Sequence, residues 1–134
     1  MTATMGYGTL GFALPAAIGA KLGAPTRPVV AVIGDAGIQF TLPELATAVQ
    51  ERIPVVVVVW RNSGYEEIRF LMEEKGVPAE GFDIECPDYV ALARAFGCRA
   101  AAAHDADELA RLLDESQGLD LPLVVEVDEA ALSA

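Results

Sequence analysis

The sequence predicts an α/β fold over residues 1–134: one domain with a doubly wound, mainly parallel sheet and helices on both faces. Three observations carry this expectation. Residues 29–33 (VVAVI) and 55–60 (VVVVVW) are continuous β-branched runs, the pattern of strands buried on both faces rather than on one. Segments of helical length alternate with such runs, and tandem βα units close into a parallel sheet. The 134 residues are 53% hydrophobic, enough for a single domain to bury a core on each side of a sheet.

Each element has its own local reason. Residues 5–11 (MGYGTLG) are glycine-rich and loop-like, with no strand before them, a start expected of a fragment or of a chain that meets its complement in trans. Residues 10–24 are helical in composition but apolar almost all round, with Lys21 as the one charge. A helix without a polar face needs cover on every side, so part of that cover is expected from another chain or domain. After the first strand, Thr41 is the expected N-cap of a helix over 42–52, with Pro43 and Glu44 in its first turn and Pro54 beyond its end. Residues 76–87 read as a surface loop. A helix over 88–96 stops at Gly97, and one over 105–116 starts on Asp105 and closes near Gly118. Further strands are expected at 98–103 and 123–127.

Charge narrows the range of partners. The net charge is −11, and all of the excess lies in residues 61–134. A surface of that sign repels a phosphate backbone, which argues against nucleic acid and against an anionic membrane. No run approaches the roughly 18 apolar residues of a membrane span, and no basic segment leads an apolar one at the N-terminus. A cytoplasmic location is the expectation. Cys86 and Cys98 lack metal-site spacing and are expected to be reduced thiols.

The chemistry gathers at two turns. Gly34, Asp35, Ala36 and Gly37 follow the first strand, and Arg61, Asn62, Ser63, Gly64 and Tyr65 follow the second. Turns after parallel strands leave the same edge of the sheet, so Asp35 and Asn62 can converge. A carboxylate with an amide oxygen suits Mg2+, which takes a few oxygen ligands and completes its shell with water and phosphates. Glycines beside Asp35 let main-chain N–H groups approach an anion, and the helix begun at Thr41 points its positive end the same way. The plain alternative is a Gly-Asp-x-Gly turn in which Asp35 is only a cap.

The run from Gly34 to Asn62 resembles the cofactor-binding motif of thiamine-diphosphate enzymes of the acetolactate synthase and 2-oxo acid decarboxylase family, which begins Gly-Asp-Gly and ends Asn-Asn about thirty residues on. Residues 42–48 (LPELATA) resemble the motif's helix, and 8–20 (GTLGFALPAAIGA) resemble the segment before it. The similarity is strong over residues 5–70 and vague beyond. It implies that Asp35, the Asn62 side chain and the Gly64 carbonyl bind Mg2+, and that Ala36 and Gly37 hold the diphosphate of thiamine diphosphate beside Gly34. It implies that the Gly8 carbonyl receives the aminopyrimidine amino group and that Leu10 props the cofactor's bent form. Tyr65 is a candidate to touch the diphosphate or line the substrate channel, the alternative being that it packs over the loop.

Two positions depart from the motif. Ala36 replaces its second glycine, which would cost on the order of 1 kcal/mol if that position needs a positive φ. Arg61 replaces the first asparagine of the final pair. The family's catalytic glutamate belongs to a separate pyrimidine-binding domain that no part of this chain resembles. Glu44 reads as first-turn charge favouring the helix dipole, and no residue here is expected to be catalytic. The resemblance therefore implies a missing partner domain, in another chain or segment, and a 2-oxo acid substrate; a homo-oligomer is expected only from exposed apolar surface. The competing readings are a non-catalytic cofactor-binding or self-associating module, and a Mg2+-dependent phosphate-binding domain of another family. His104 is expected at the surface, Glu66, Glu67, Glu73 and Glu74 on a solvated helix face, and Trp60 in the core.

Overall fold

The computed structural model describes residues 8–78, 80–82 and 84–132; Met5, Gly6 and Tyr7 of the expected opening loop lie outside them. In chain order the elements are α1 (Ala13–Gly23), β1 (Val30–Gly34), α2 (Asp35–Ile38), α3 (Glu44–Gln50), β2 (Val56–Arg61), α4 (Glu66–Glu74), α5 (Tyr89–Ala95), β3 (Arg99–Ala103), α6 (Ala106–Glu115), β4 (Leu123–Asp128) and α7 (Glu129–Leu132). All four strands pair parallel, in the order β1-β2-β4-β3.

The β-branched run of β2 lies where both faces of the sheet are covered, and that of β1 where one face is. Ala31, Ile33, Val57, Val59 and Val124 face a core completed by Leu14 and Ile18 of α1, Leu45 and Ala48 of α3, and Tyr89 and Ala93 of α5. Val56, Val58, Val125 and Val127 face the other side, where Leu112 of α6 is buried and Trp60, Leu109 and Leu113 pack partly covered. Successive valines of β2 thus alternate between two cores, and each fully buried valine contributes about 1.5–3 kcal/mol by leaving water. Trp60 is half-buried against the second core, rather than sealed within it.

The capping chemistry of the C-terminal half follows the sequence. Asp88 accepts from the Ala91 N–H and Asp105 from the Glu108 N–H, each at 2.7 Å. Gly97 and Gly118 close α5 and α6 at φ +90° and +91°, a conformation glycine adopts without steric cost. The expected cap of α3 is different. α3 begins at Glu44 with Pro43 in the cap position and no side-chain cap. The Thr41 hydroxyl instead donates to the Gly11 carbonyl at 2.9 Å, fastening the chain before α1 to the turn after α2. Gly11 itself has φ +84°, and a Cβ there would lie 2.8 Å from Thr41 Cγ2, so that contact needs a glycine.

α1 buries Leu14, Ala17 and Ile18 and leaves Leu22 64% exposed. β1 is an edge strand, and the expected burial on both faces does not hold for it: its residues facing the α6 side, Val30 and Val32, lie open to solvent because no described helix covers that edge. α4 has no buried residue.

Candidate functional site

The site grows from the sheet register. Gly34 at the end of β1 pairs with Trp60, and Arg61 at the end of β2 pairs with Asp128. Asp35 and Asn62 therefore begin neighbouring turns at the carboxyl edge of the sheet. Their convergence is direct: the Asn62 and Ser63 N–H groups donate to Asp35 Oδ2 at 3.0 and 2.7 Å. The Cys86 thiol donates to the same oxygen at 3.1 Å, and the Ala36 N–H reaches Oδ1 at 2.7 Å.

Asp35 is fully buried, and it is the one buried charged side chain among the described residues. Four donors compensate its loss of water, as a buried carboxylate requires. These contacts also hold Ser63 at φ +65°, a left-handed conformation that costs a non-glycine residue roughly 1–2 kcal/mol. The neighbouring turn is steadied from outside, since the Tyr65 N–H donates to the Phe82 carbonyl and the Ile84 N–H to the Ser63 carbonyl, at 3.1 and 3.2 Å.

The two departures from the motif have physical answers. Ala36 lies inside α2, and its φ is not positive; the methyl group carries no left-handed strain, so the conditional penalty does not arise. Arg61 does not bring a free charge to the site. Its guanidinium donates to Glu126 Oε1 at 3.0 Å and to Asp128 Oδ2 at 3.3 Å, both on β4. The altered charge is neutralised within the sheet edge.

Gly34 is extended, at φ −68° and ψ 155°, which any residue adopts. A Cβ there would meet no atom within 4 Å. This glycine leaves open space beside the Asp35 turn. Gly37 is buried with α2. Gly64 is buried, Tyr65 is half-buried, and Asn62 is partly accessible. Among the described residues only the Asn62 main chain is engaged with Asp35, leaving the amide side chain without a hydrogen bond. Gly8 has φ +60°, and Leu10 is 44% exposed in the loop before α1.

Three residues join the site that sequence reading did not place there. Cys86 reaches Asp35 as above. Tyr89, 1% exposed, donates its hydroxyl to the Asp35 carbonyl at 2.7 Å, and Glu126 accepts the Tyr89 N–H at 3.1 Å. Burial, reinforced by the Asp35 hydrogen bond and charge, pushes the Cys86 thiol up to about 11, and burial alone does the same to Cys98. Both are neutral thiols at pH 7. His104 is exposed, as are Glu66, Glu67, Glu73 and Glu74. Glu44 accepts from the Thr47 hydroxyl at the start of α3. Among the described residues no group of three or more His, Cys, Asp or Glu side chains could hold a metal ion. No described helix is long and apolar enough to cross a membrane.

Residues 1–127 match the family described as the C-terminal TPP binding domain of thiamine pyrophosphate enzymes. The chain is 43% identical over 126 residues to a protein of Pseudomonas aeruginosa named "Probable 2-ketoarginine decarboxylase", covering 93% of this chain and 22% of that one. It is 37% identical over 122 residues to an acetolactate synthase of Bacillus subtilis, covering 91% and 21%. Among solved structures, the thiamine diphosphate-dependent 4-hydroxybenzoylformate decarboxylase of Rhodococcus jostii superposes with a TM-score of 0.84 at 34% identity, over 90% of this chain and 23% of that one. The chain therefore spans between a fifth and a quarter of the length of these relatives.

Proposed function

The chain belongs to the C-terminal TPP-binding domains of thiamine pyrophosphate enzymes, and on that premise we propose that it binds thiamine diphosphate through Mg2+, as the diphosphate-binding half of a 2-oxo acid decarboxylase or acetolactate synthase-like carboligase. The observation that carries the reading is the meeting of Asp35 with the Asn62 turn across adjacent strand ends. Asp35, the Asn62 amide and the Gly64 carbonyl are the proposed metal ligands. Their all-oxygen character suits a hard cation that shares its shell with phosphates.

The donor set fits the ion. Asp35 Oδ2 already accepts three donors, whereas Oδ1 accepts one, so Oδ1 keeps a lone pair for a cation. Asp35 is closed to solvent, and access must therefore open one of its contacts. Ala36 and Gly37 would hold the diphosphate in the space Gly34 leaves, with Tyr65 beside it. Gly8 and Leu10 would face the aminopyrimidine and the bend of the cofactor.

When bound, the cofactor supplies the electron sink for cleaving or forming a bond next to a 2-oxo group. This chain's own residues bind and orient it. The acid that activates it is assigned to a pyrimidine-binding domain, in another chain or segment, so activity requires that partner. A homo-oligomer is proposed from the uncovered apolar side chains of Leu22, Val30, Val32 and Phe40. Light scattering at tens of micromolar is expected to return a mass above 14.1 kDa, and a monomer would remove that part of the proposal. A cytoplasmic setting remains the expectation from composition.

Isothermal titration of thiamine diphosphate tests the central reading. Heat is expected with Mg2+ and none with EDTA. Heat that is indifferent to EDTA would reject the metal-bridged site. No heat in either condition would favour a module that has lost cofactor binding, or one that binds only with its partner domain present.

A further inference from the structure

The hydroxyl of Tyr89 closes a loop of contacts around the turn that carries Asp35. It donates to the Asp35 carbonyl at 2.7 Å and accepts from Gln39 Nε2 at 3.3 Å. Asp35 is the first residue of α2, and Gln39 follows its last. One phenol oxygen therefore touches both ends of this four-residue helix, which is too short to be stable through its own hydrogen bonds.

Tyr89 is itself held from the opposite side. It begins α5, and its N–H is one of the donors that a helix start leaves without an internal partner. Glu126 Oε2 accepts it at 3.1 Å, while Glu126 Oε1 accepts from Arg61 at 3.0 Å. Arg61 stands one residue before Asn62. Hydrogen bonds thus link Arg61, the neighbour of Asn62, through Glu126 and Tyr89 to the Asp35 turn, and the Cys86 thiol that reaches Asp35 Oδ2 lies beside the same phenol.

We infer that Tyr89 is a positioning residue of the diphosphate site, its hydroxyl fixing the turn of residues 34–39 so that Asp35 presents its free lone pair at a set angle to the Asn62 turn. The inference rests on the reading of that site as a Mg2+–diphosphate site. It goes beyond that reading, because the Tyr89 hydroxyl touches no proposed ligand atom and acts through the main chain of Asp35, the side chain of Gln39 and the Cys86 thiol beside it. Burial raises the phenol's pKa above the usual tyrosine value, so the hydroxyl remains a donor at all working pH. An aromatic ring alone would fill the same volume. The hydroxyl is the part that the turn needs, since without it the buried Asp35 carbonyl loses this hydrogen bond.

Tyr89→Phe keeps the ring and removes the hydroxyl. Amide exchange, read without cofactor, is expected to accelerate about tenfold for residues 36–39 while the remaining amides and the melting temperature hold. Titration with thiamine diphosphate and Mg2+ is expected to give a Kd raised about tenfold, the lower end of the loss seen when a metal ligand's supporting contact is removed. Uniformly faster exchange with a lowered melting temperature would overturn the inference, as that is the behaviour of an ordinary core residue. So would an unchanged Kd. If the unmodified chain binds no cofactor, the site reading fails separately. The exchange pattern then decides alone whether Tyr89 sets the turn, and no local acceleration would overturn it.

Discussion

Asp35→Ala is expected to lower unfolding stability by about 2–4 kcal/mol and to remove metal-dependent binding together. The stability loss follows from what the carboxylate accepts: N–H groups of Ala36, Asn62 and Ser63, and the Cys86 thiol. Each buried donor left without a partner costs about 1–3 kcal/mol. Relaxation and entering water recover part of that sum, so the net effect falls below the simple total. Ser63, held in its left-handed conformation at φ +65°, is released at the same time, which returns some of the strain. Asp35→Asn separates the two roles. Its amide keeps the shape, but one end of the group becomes a donor, and that end must face either the Ala36 N–H or the cluster of three donors. About half of the stability loss is expected to persist. Urea unfolding of both variants is the measurement, and a midpoint unchanged in Asp35→Ala would show that the four donors find other partners and that the carboxylate is no clasp.

The elements that could be read from sequence are those whose causes are local. The valine run at 55–60 reads as a strand covered on both faces, and the alternation of Val56–Val59 between two cores is the reason; the run at 29–33 reads the same way, yet β1 is covered on one face only, because it lies at the sheet edge. The caps at Asp88 and Asp105 and the glycine stops at Gly97 and Gly118 depend on contacts within four residues, so composition suffices. Thr41 looked like a cap by the same rule, yet Gly11 lies thirty residues away and takes its hydroxyl. α2 has four residues, too few for a period. Of the site, Asp35 and Asn62 were legible because each ends a strand that the pattern defines. Tyr89 and Glu126 were not, because their contact to the site depends on β4 lying beside β2 and on α5 packing over the sheet. One signal was available for Tyr89: a tyrosine on a buried helix face must find a partner for its hydroxyl. Arg61 needed the sheet order as well, since its neutralising partners, Glu126 and Asp128, sit on a strand more than sixty residues later.

Asn62→Ala is expected to leave stability within about 0.5 kcal/mol and still to raise the Kd for thiamine diphosphate with Mg2+ about 100-fold. The contrast with Asp35 follows from what each side chain touches. The Asn62 contact to Asp35 comes from its main-chain N–H, which alanine retains, and its amide is partly accessible rather than sealed in the core. Surface changes of this kind seldom exceed about 0.5 kcal/mol. If the amide oxygen is a metal ligand, its loss takes one protein oxygen from a shell that otherwise rests on a single carboxylate and a carbonyl. Removing even a supporting contact of a ligand costs about 10–100-fold in metal affinity, and losing the ligand itself belongs at the upper end. The two variants together therefore separate a metal site from a structural turn: both should lose binding, and only Asp35→Ala should lose stability. An Asn62→Ala chain that binds cofactor as tightly as the original would leave Asp35 as the cap of a turn, with no second side-chain ligand to hold Mg2+.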